Sequence, residues 1–412
     1  MSSAPSSPVP DRCPGVFRTH TAADGELARI RVPGGVIDAA ALEALALAAD
    51  EYGDGAIEIT VRGNLQVRGI SDVAGFGAAV TAAGLAGDAD HDRVRNIATS
   101  PLTGRIGGLA DLRPVADELG AHLTAQSWSS GLSGRFWFGL DDGRGDVLAH
   151  RTDVTGVAVD ADSAVVVVDG RAVGGPMPLA DLPATMAHAA STFHDLADGA
   201  WRIGDLPAAR LAELHERLET VDRRIPDAVH PDPRVGWFEQ SDGRVVLGAV
   251  VPFGRLTAEQ ARYAAAVGRP VTVTAEREIL IGDLDEAVAE TVVRVLAPLG
   301  FVFDARSPWV SLTACTGSPG CVRSLADVRH DLRRHVAARH LDDDTPSAEH
   351  WVGCARGCGS PPARTCASRR PATDIGAAHA DRTLGRPPVR DGLSARFRDE
   401  PLPRFRDEPS PQ

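Results

Sequence analysis

The sequence predicts an α+β fold built from one module that occurs twice. The stretch "VPGGVIDAAALEAL" at 32–45 is echoed by "VPFGRLTAEQARYA" at 251–264. In both copies a strand-like run enters a Pro-Gly turn, and an alanine-rich amphipathic helix follows. Because a long-period repeat marks one structural unit that is used again, we expect two modules with the same order of strands and helices.

Each module continues in the same order after its first helix. Asp38 and Thr257 each offer an N-cap at the start of that helix. A second strand pattern and a second helix then follow in each copy. The strands are predicted at 56–70 and 270–284, and the helices near 73–84 and 285–297. Each half is therefore predicted to be a strand-helix-strand-helix unit.

The loop that follows each module is also similar. "VRNIATSPLTG" at 94–104 takes the place after the first module that "VSLTACTGSPG" at 310–320 takes after the second. Residues 105–225 add further strands and helices, and "PDAVHPDPRVG" at 226–236 is a predicted linker. Of the two copies, only the second has cysteines in and after this loop. This is expected if one copy in a duplicated chain had lost a metal or never held one.

Composition narrows the class of protein. The chain has 412 residues, enough for several domains with separate cores. It has no apolar run near the roughly eighteen residues of a membrane span and no N-terminal secretory signal, which predicts a cytoplasmic protein without a membrane partner. A net charge of −13 argues against nucleic acid as a partner. All 43 basic residues are arginines, whose guanidinium groups bind carboxylates bidentately.

Four of the six cysteines lie in two short motifs. Cys315 and Cys321 stand in "TACTGSPGC", and Cys354 and Cys358 stand in "WVGCARGCGSP". Cytoplasmic thiols stay reduced, so this grouping indicates metal ligation rather than disulfides. The first pair is spaced too widely for a structural zinc knuckle, whereas a 4Fe-4S cluster accepts wider, glycine-rich loops. The spacing favours a cluster over zinc.

Two further cysteines, Cys13 and Cys366, lie outside these motifs and are interpreted as incidental. A second set of polar side chains lies in strand-like or apolar stretches. The set is Arg29, Arg31, Arg62, Gln66, Arg68, Arg95 and Arg135. Even spacing within a strand places side chains on one face, and a half-buried strand rarely spends that face on arginine unless an anion binds there. The alternative is a solvated outer face; taken together, the set predicts a pocket for a polycarboxylate.

These features in this order resemble the nitrite and sulfite reductase superfamily. The resemblance covers roughly residues 16–365 and is carried by the T-x-R-x3-Q-x2-G-I strand, by "VRNIATSP", and by the C-x5-C and C-x3-C pairs. Within the superfamily, the shorter length and the "GCARGCGSP" ending look most like the precorrin-3B synthases, oxygen-dependent monooxygenases of aerobic cobalamin biosynthesis. The fold implied is a duplicated architecture with two ferredoxin-like half modules and two cluster or tetrapyrrole modules.

The resemblance also implies domain boundaries and ligands. The boundaries are a first ferredoxin-like half domain at 16–88, a first tetrapyrrole-binding domain at 89–225, a second half domain at 226–304 and a 4Fe-4S domain at 305–372. The termini at 1–15 and 373–412 are predicted to be disordered, the second of them because it is rich in arginine, proline, aspartate and alanine. The implied cluster ligands are Cys315, Cys321, Cys354 and Cys358. The implied ligands of the tetrapyrrole carboxylates are Arg29, Arg62, Arg95 and Arg135, with Gln66 and Arg68 lining the same wall.

The activity implied is the conversion of precorrin-3A to precorrin-3B, in which O2 hydroxylates a meso carbon and a ring-A acetate closes as a lactone. The implied cofactors are the 4Fe-4S cluster and a mononuclear non-haem iron, with electrons from NADH passed on by a reductase or ferredoxin. The sequence assigns neither ligands for that iron nor catalytic residues. Two alternatives stay open: a siroheme-dependent ferredoxin nitrite or sulfite reductase, and a non-catalytic tetrapyrrole-binding or cluster-carrying protein.

One position distinguishes the monooxygenase from the siroheme-dependent reductase. The reductases place two alternate basic residues against their small inorganic anion, whereas this chain has Arg135 and then Trp137 in "GRFWFG". An aromatic ring does not bind such an anion by charge, which favours a large organic substrate. After Cys358 the sequence shows little of the β-alternation expected for the strands that close a cluster domain.

Overall fold

The computed structural model describes residues 11–338 and 348–360, and the backbone of the strand Ala367–Arg369. The predicted tail at 373–412 and Cys366 lie outside the described residues. Residues 11–15 fall within the segment predicted to be disordered, but they pack against the protein. Asp11 Oδ2 accepts a hydrogen bond from the backbone amide of Gly134 at 2.8 Å, and Cys13 is buried. Contacts distant in sequence therefore order these residues.

The strands are numbered in chain order. They are β1 (His20–Ala22), β2 (Gly25–Ile30), β3 (Val36–Ile37), β4 (Ala56–Ile59), β5 (Leu65–Ile70), β6 (Ile97–Thr99), β7 (Phe138–Asp141), β8 (Val154–Ala158), β9 (Ser163–Val168), β10 (Arg171–Pro178), β11 (Thr220–Val221), β12 (Gly236–Glu239), β13 (Val245–Val250), β14 (Arg255–Thr257), β15 (Val271–Val273), β16 (Glu278–Leu284), β17 (Leu312–Ala314), β18 (Glu349–Trp351) and β19 (Ala367–Arg369).

The helices are α1 (Ala39–Tyr52), α2 (Val73–Ala82), α3 (Arg113–Thr124), α4 (Leu182–Leu196), α5 (Ala208–Arg217), α6 (Ala258–Ala265), α7 (Glu286–Leu296), α8 (Pro308–Ser311) and α9 (Val328–Ala337). The predicted N-cap of α6 is confirmed, because the Thr257 hydroxyl accepts from the Gln260 amide at 3.1 Å. Asp38 precedes α1 but makes no side-chain capping bond. None of the described helices is long and apolar enough to cross a membrane.

The two modules exchange an edge strand. The first sheet has the order β1-β2-β5-β4-β14, and the third has the order β12-β13-β16-β15-β3. β14 therefore belongs to the second module in sequence but closes the sheet of the first, and β3 does the reverse. Helices α1 and α6 pack together, and one apolar core runs through both modules. The two halves thus fold around a shared core.

The second strand of each module is a hairpin rather than the single strand predicted. In the first copy the chain turns between β4 and β5, with Gly63 at a φ of 64°. In the second copy it turns between β15 and β16, with Arg277 at a φ of 66°. Arg62 accordingly lies in the turn, and only Gln66 and Arg68 share a strand face. The unbroken polar and apolar alternation across the turn concealed it.

The other two sheets carry the loops that follow each module. In the second sheet, with the order β11-β10-β9-β8-β7-β6, strands β6, β7 and β8 are parallel neighbours. In the fourth sheet β17, β18 and β19 are also parallel neighbours. The short strand β19 supplies a closing strand where the sequence showed little alternation. The loop after each module therefore extends from a set of three neighbouring parallel strands.

An ion pair between Arg105 and Asp283 links the loop after β6 to the second module, with Nη2 and Oδ2 at 2.8 Å. Although burial opposes ionisation, Arg105 and the Gln240 amide lower the pKa of Asp283 from 3.8 to about 2. A carboxylate with a lowered folded-state pKa stabilises the fold above its unfolded value, and this contribution is lost as the pH falls through about 2.

We therefore expect Asp283→Asn to reduce the free energy of unfolding at neutral pH by less than about 1 kcal/mol, because the pair is partly exposed. The variant should also lose less stability than the parent between pH 3.8 and about 2. Asparagine tolerates the left-handed backbone at this position, where φ is 60°. Denaturant unfolding at a series of pH values measures both effects. Parallel curves for the two proteins would contradict the assignment.

Candidate functional site

The four motif cysteines converge where the fourth sheet brings two loops together. Parallel pairing of β17 with β18 sets the loop that starts at Cys315 beside the loop that holds Cys354. The Cys315 amide donates to Trp351 O at 2.9 Å, and the Gly353 amide donates to Cys315 Sγ at 3.4 Å. Cys358 is exposed, and the other three thiols are half-buried. The backbone thus points an amide at one candidate ligand sulfur, as cluster sites do.

Electrostatics and spacing indicate what these thiols can hold. Burial raises the pKa of the Cys358 thiol; Arg356 lowers it, and the neighbouring thiols Cys354, Cys315 and Cys321 raise it again. Within the described residues, no three of the sulfur atoms lie within 4.8 Å of one another. Four thiolates on one zinc would stand about 3.8 Å apart, given a Zn–S bond of about 2.3 Å. The wider arrangement fits a cuboidal four-iron cluster better than a single zinc ion.

A group of three guanidinium groups lies on the first module. This arginine cluster consists of Arg29, Arg31 and Arg62. Arg29 Nη1 and Arg31 Nη2 both donate to the Cys13 sulfur, at 3.6 and 3.5 Å. Arg31 Nε and Nη1 and Arg29 Nε are buried without a hydrogen-bond partner among the described residues. Such unpaired donors are costly unless a ligand accepts from them.

The arginine cluster is cationic and poorly compensated. Burial lowers the pKa of Arg31 to about 10, and the charges of Arg29 and Arg62 push in the same direction. Burial also lowers the pKa of Arg62 to about 10, with a further contribution from Arg202. With pKa values of about 10, Arg31 and Arg62 stay protonated at neutral pH. The residues therefore fit an anion with several carboxylates, which would replace the missing partners.

Cys13, interpreted from the sequence as incidental, lies in the middle of this cluster. Its thiol donates to the carbonyl oxygen of Gly134 at 3.4 Å while its sulfur accepts from the two arginines. Nothing in the local sequence signals this role, because the partners are 16, 18 and 121 residues away. No local sequence pattern therefore reveals the position of Cys13 among the arginines.

Gln66 and Arg68 sit between the arginine cluster and the cysteine loops. Gln66 Oε1 accepts from Arg29 Nη2 at 3.1 Å. Arg68 forms a bidentate pair with Asp24 at 2.9 Å for both bonds, and its Nη2 also donates to Gly320 O at 2.9 Å. Arg68 is thus engaged with the cysteine loop rather than turned toward the arginine cluster.

Arg95 and Arg135 have contacts of their own. Arg95 Nη2 donates to Leu85 O at 3.1 Å, its Nε has no partner among the described residues, and burial lowers its pKa. The Arg135 guanidinium lies over the ring of Trp201 at 4.1 Å, and its side chain is 44% exposed. The Arg135 carbonyl accepts from Arg62 Nη1 at 2.9 Å. The structure therefore groups Arg62 with the backbone of Arg135, whereas the roles of both side chains stay predictions.

Trp137 is buried beside the arginine cluster. The Arg62 guanidinium carbon is 5.4 Å from the centroid of its ring, and the His150 ring stacks on it with centroids 5.5 Å apart. The indole Nε1 has no hydrogen-bond partner among the described residues. Burial lowers the pKa of His150, which keeps the imidazole neutral at pH 7. Trp137, the second position of the alternating pair that begins at Arg135, thus supplies an apolar wall and no charge.

The described residues do not form a mononuclear non-haem iron site. Among them, Asp141, Asp142 and Asp146 are the one group of three histidine, cysteine or acidic side chains with ligand atoms within 4.8 Å of one another. Their oxygens already accept bonds, from backbone amides, from Arg144 at 2.7 Å and from Arg234 at 2.6 Å. These carboxylates hold the fold together, and their engaged oxygens do not fit a mononuclear iron.

The loop after β6 is a cysteine-free counterpart of the cluster loops. With Ile97 aligned to Thr313, the strand registers align Phe138 with His350. The pairs of corresponding positions are then Thr99 with Cys315, Arg105 with Cys321, Asp142 with Cys354, and Asp146 with Cys358. "DGRGD" at 142–146 and "CARGC" at 354–358 share Arg-Gly at the same places. That shared dipeptide was a readable signal that the duplication extends into the cluster domain.

Comparison with known proteins shows what the chain is similar to. Residues 20–74 match the nitrite/sulfite reductase ferredoxin-like half domain. The fold resembles that of the NirA protein of Mycobacterium tuberculosis, with a TM-score of 0.66 at 20% identity over 81% of this chain and 69% of that one. The chain is therefore similar to the nitrite and sulfite reductases over this half domain, and it shares the fold of NirA over most of its described length.

The curated relatives are distant and carry two different names. A ferredoxin-nitrite reductase of Synechococcus elongatus is 28% identical over 403 residues, which cover 84% of this chain and 76% of that protein. A precorrin-3B synthase of a Sinorhizobium species is 28% identical over 366 residues, which cover 85% of this chain and 78% of that protein. Identity therefore does not choose between the two activities.

Proposed function

We propose that the protein is a precorrin-3B synthase-like monooxygenase that converts precorrin-3A to precorrin-3B in aerobic cobalamin biosynthesis. The observation that carries this proposal is the arginine cluster with unpaired donors beside the buried ring of Trp137. Three guanidinium groups suit an anion with several carboxylates, and the indole offers an apolar wall to a large ring. A small inorganic anion would leave most of these donors unpaired.

The residues of the chain orient the substrate in this proposal. Arg29, Arg31 and Arg62 hold peripheral carboxylates of the tetrapyrrole, and Gln66 fixes Arg29 by accepting from its Nη2 at 3.1 Å. The wall formed by Trp137 excludes water from one side of the site. Because hydroxylation at one meso carbon with lactone closure by a ring-A acetate requires a single orientation, several fixed contacts are expected.

The cysteine loops would hold the 4Fe-4S cluster with Cys315, Cys321, Cys354 and Cys358. When bound, that cluster supplies one-electron transfer, fed from NADH through a reductase or ferredoxin. One oxygen atom of O2 enters the product and the other leaves as water, so the reaction also consumes two electrons and two protons. A cytoplasmic location completes the proposal. The mononuclear non-haem iron is not part of it, because the described residues do not fit such an iron.

The alternative is a siroheme-dependent ferredoxin nitrite or sulfite reductase. The Synechococcus relative is compatible with it, since it is as similar to this chain as the precorrin-3B synthase is, at 28% identity over 84% and 85% of the chain. In that case the same arginine cluster would bind the siroheme carboxylates, and Cys358 would bridge to the siroheme iron. Trp137 argues against it, because the second basic position of the pair is apolar here.

Anaerobic purification followed by absorbance spectroscopy and by iron and sulfide analysis tests the proposal. We expect about four irons and four sulfides per chain, a broad cluster band and no siroheme bands. The purified protein should then consume O2 only when precorrin-3A and a reductant are supplied. Siroheme bands would establish the alternative. A cluster-containing protein that leaves precorrin-3A unchanged would be the non-catalytic carrier.

A further inference from the structure

A buried carboxylate joins the arginine cluster to the cysteine loops. Glu58 on β4 is 6% exposed, and each of its oxygens has a different partner. Oε2 accepts from Gln66 Nε2 at 2.7 Å, and Oε1 accepts from Arg329 Nη2 at 2.7 Å. Although burial opposes ionisation, Arg329 and then the Gln66 amide hold the pKa of Glu58 below its usual value. Glu58 is therefore a carboxylate with both oxygens engaged.

The two partners lead to the two halves of the candidate site. Gln66 passes the contact on, because its Oε1 accepts from Arg29 of the arginine cluster. Arg329 stands in the first turn of α9, which begins at Val328, a few residues beyond Cys321. The guanidinium of Arg329 also lies 5.8 Å from the ring centroid of Phe253, which packs under the cysteine loop. The carboxylate of Glu58 thus connects the arginine cluster, through Gln66, with the helix after the cysteine loop, through Arg329.

The duplication supplies an internal control for this contact. β4 and β5 pair Glu58 with Gln66, whereas the corresponding strands β15 and β16 pair Thr272 with Leu280. The residue that corresponds to Arg329 is Arg113, which pairs with Asp111 at 2.6 Å. In the described part of the chain, no hydrogen bond joins Thr272 to Arg113 as one joins Glu58 to Arg329. Instead, Thr272 and Arg113 line a cavity of about 480 Å³ at the equivalent place on the second module.

The comparison separates a structural role from a functional one. The second module, which contacts the cysteine-free loop after β6 through the ion pair of Asp283 with Arg105, lacks the carboxylate and the glutamine, yet it keeps the same strand and helix arrangement. The fold of the module therefore does not need this chain of contacts. Among the described residues, these contacts occur on the module that carries the arginine cluster and that reaches the helix after the cysteine loop through Arg329, which points to a role in the site.

We propose that Glu58 is a positioning residue that fixes the amide of Gln66 and ties it to the helix after the cysteine loop. With Nε2 donating to Glu58, Gln66 must turn Oε1 toward Arg29, which holds that guanidinium toward the ligand. Without the carboxylate, the amide is free to flip and present its own NH2 to Arg29, where two donors repel. This inference rests on the proposed function, since Arg29 is a ligand only if the arginine cluster binds a polycarboxylate.

The test measures binding of uroporphyrin, an octacarboxylate porphyrin, to the full-length protein reconstituted with iron and sulfide. Fluorescence quenching gives the dissociation constant, and thermal unfolding of each variant reports its folding. We expect Glu58→Gln to weaken binding roughly tenfold, which corresponds to about 1.4 kcal/mol for the lost charge-assisted contact. Thr272→Val, at the corresponding position of the other half, should bind as the parent does.

An exchange variant makes the test sharp. In Glu58→Gln with Gln66→Glu, the amide at 58 can accept from Arg329 and donate to the carboxylate at 66, which accepts from Arg29. We expect this double variant to recover binding to within about twofold of the parent. A single variant that binds like the parent, or a folded double variant that does not recover, would overturn the role of Glu58. A parent protein that does not bind uroporphyrin at all would instead overturn the proposed function.

Discussion

Replacement of Cys354 by alanine is expected to abolish assembly of the four-iron cluster. A cubane held by four thiolates that loses one of them has an open iron, and such clusters degrade or fail to assemble. We expect iron and acid-labile sulfide to fall from about four of each per chain to below one, with loss of the broad visible absorbance. Anaerobic reconstitution followed by metal and sulfide analysis measures the change.

Cys13→Ser is the matched control for this prediction. Cys13 is also a free thiol, but it lies among the arginines and outside the two cysteine motifs. Its replacement should leave iron and sulfide at the parent level. Equal loss from the two variants would show that general destabilisation, rather than loss of a ligand, empties the site. One zinc per chain in the parent would show that the wider spacing of the thiols does not select a cluster.

The fold class and the duplication could be predicted because they depend on local patterns that recur. The Pro-Gly turns, the helix after each turn and the cysteine spacing all lie within short stretches of sequence. The exchange of β3 and β14 could not be predicted in the same way. A short edge strand can satisfy its backbone hydrogen bonds in either sheet, and no local pattern records the packing of α1 against α6 that accompanies the exchange.

Site residues divide along the same line. The four cysteines could be grouped from the sequence because metal ligands repeat at fixed spacing, and the structure brings their two loops together. The even spacing of Arg62, Gln66 and Arg68 was a weaker guide, because the turn before β5 removes Arg62 from the strand face. Glu58 escaped notice because an isolated glutamate in an apolar strand has no distinguishing pattern. Its function depends on Arg329, which is 271 residues away.

Arg31→Met is expected to raise stability and remove ligand binding in the same protein. Arg31 is 2% exposed, with Nε and Nη1 lacking partners among the described residues and no carboxylate bonded to it. A methionine of similar length fills the space without the cost of burying a charge. Because a buried charge of this kind is often destabilising, we expect the free energy of unfolding of the ligand-free protein to rise by about 1–2 kcal/mol.

Binding should change in the opposite direction. Loss of one guanidinium from the arginine cluster should weaken uroporphyrin at least roughly tenfold, since a charge-assisted hydrogen bond contributes about 1.5–3 kcal/mol. Denaturant unfolding of the ligand-free protein and a fluorescence titration measure the two effects separately. Opposite signs are typical of a residue kept for function at the expense of stability.

Arg144→Met provides the comparison for an arginine that serves the fold. Arg144 pairs with buried Asp142 at 2.7 Å, so its removal leaves a carboxylate without its partner. That variant should be less stable than the parent by about 1–3 kcal/mol and should bind uroporphyrin unchanged. If Arg31→Met instead behaves like Arg144→Met, then Arg31 supports the fold through its bonds to Pro14 O and Gly134 O. Arg31 would then not be one of the residues that bind the carboxylates.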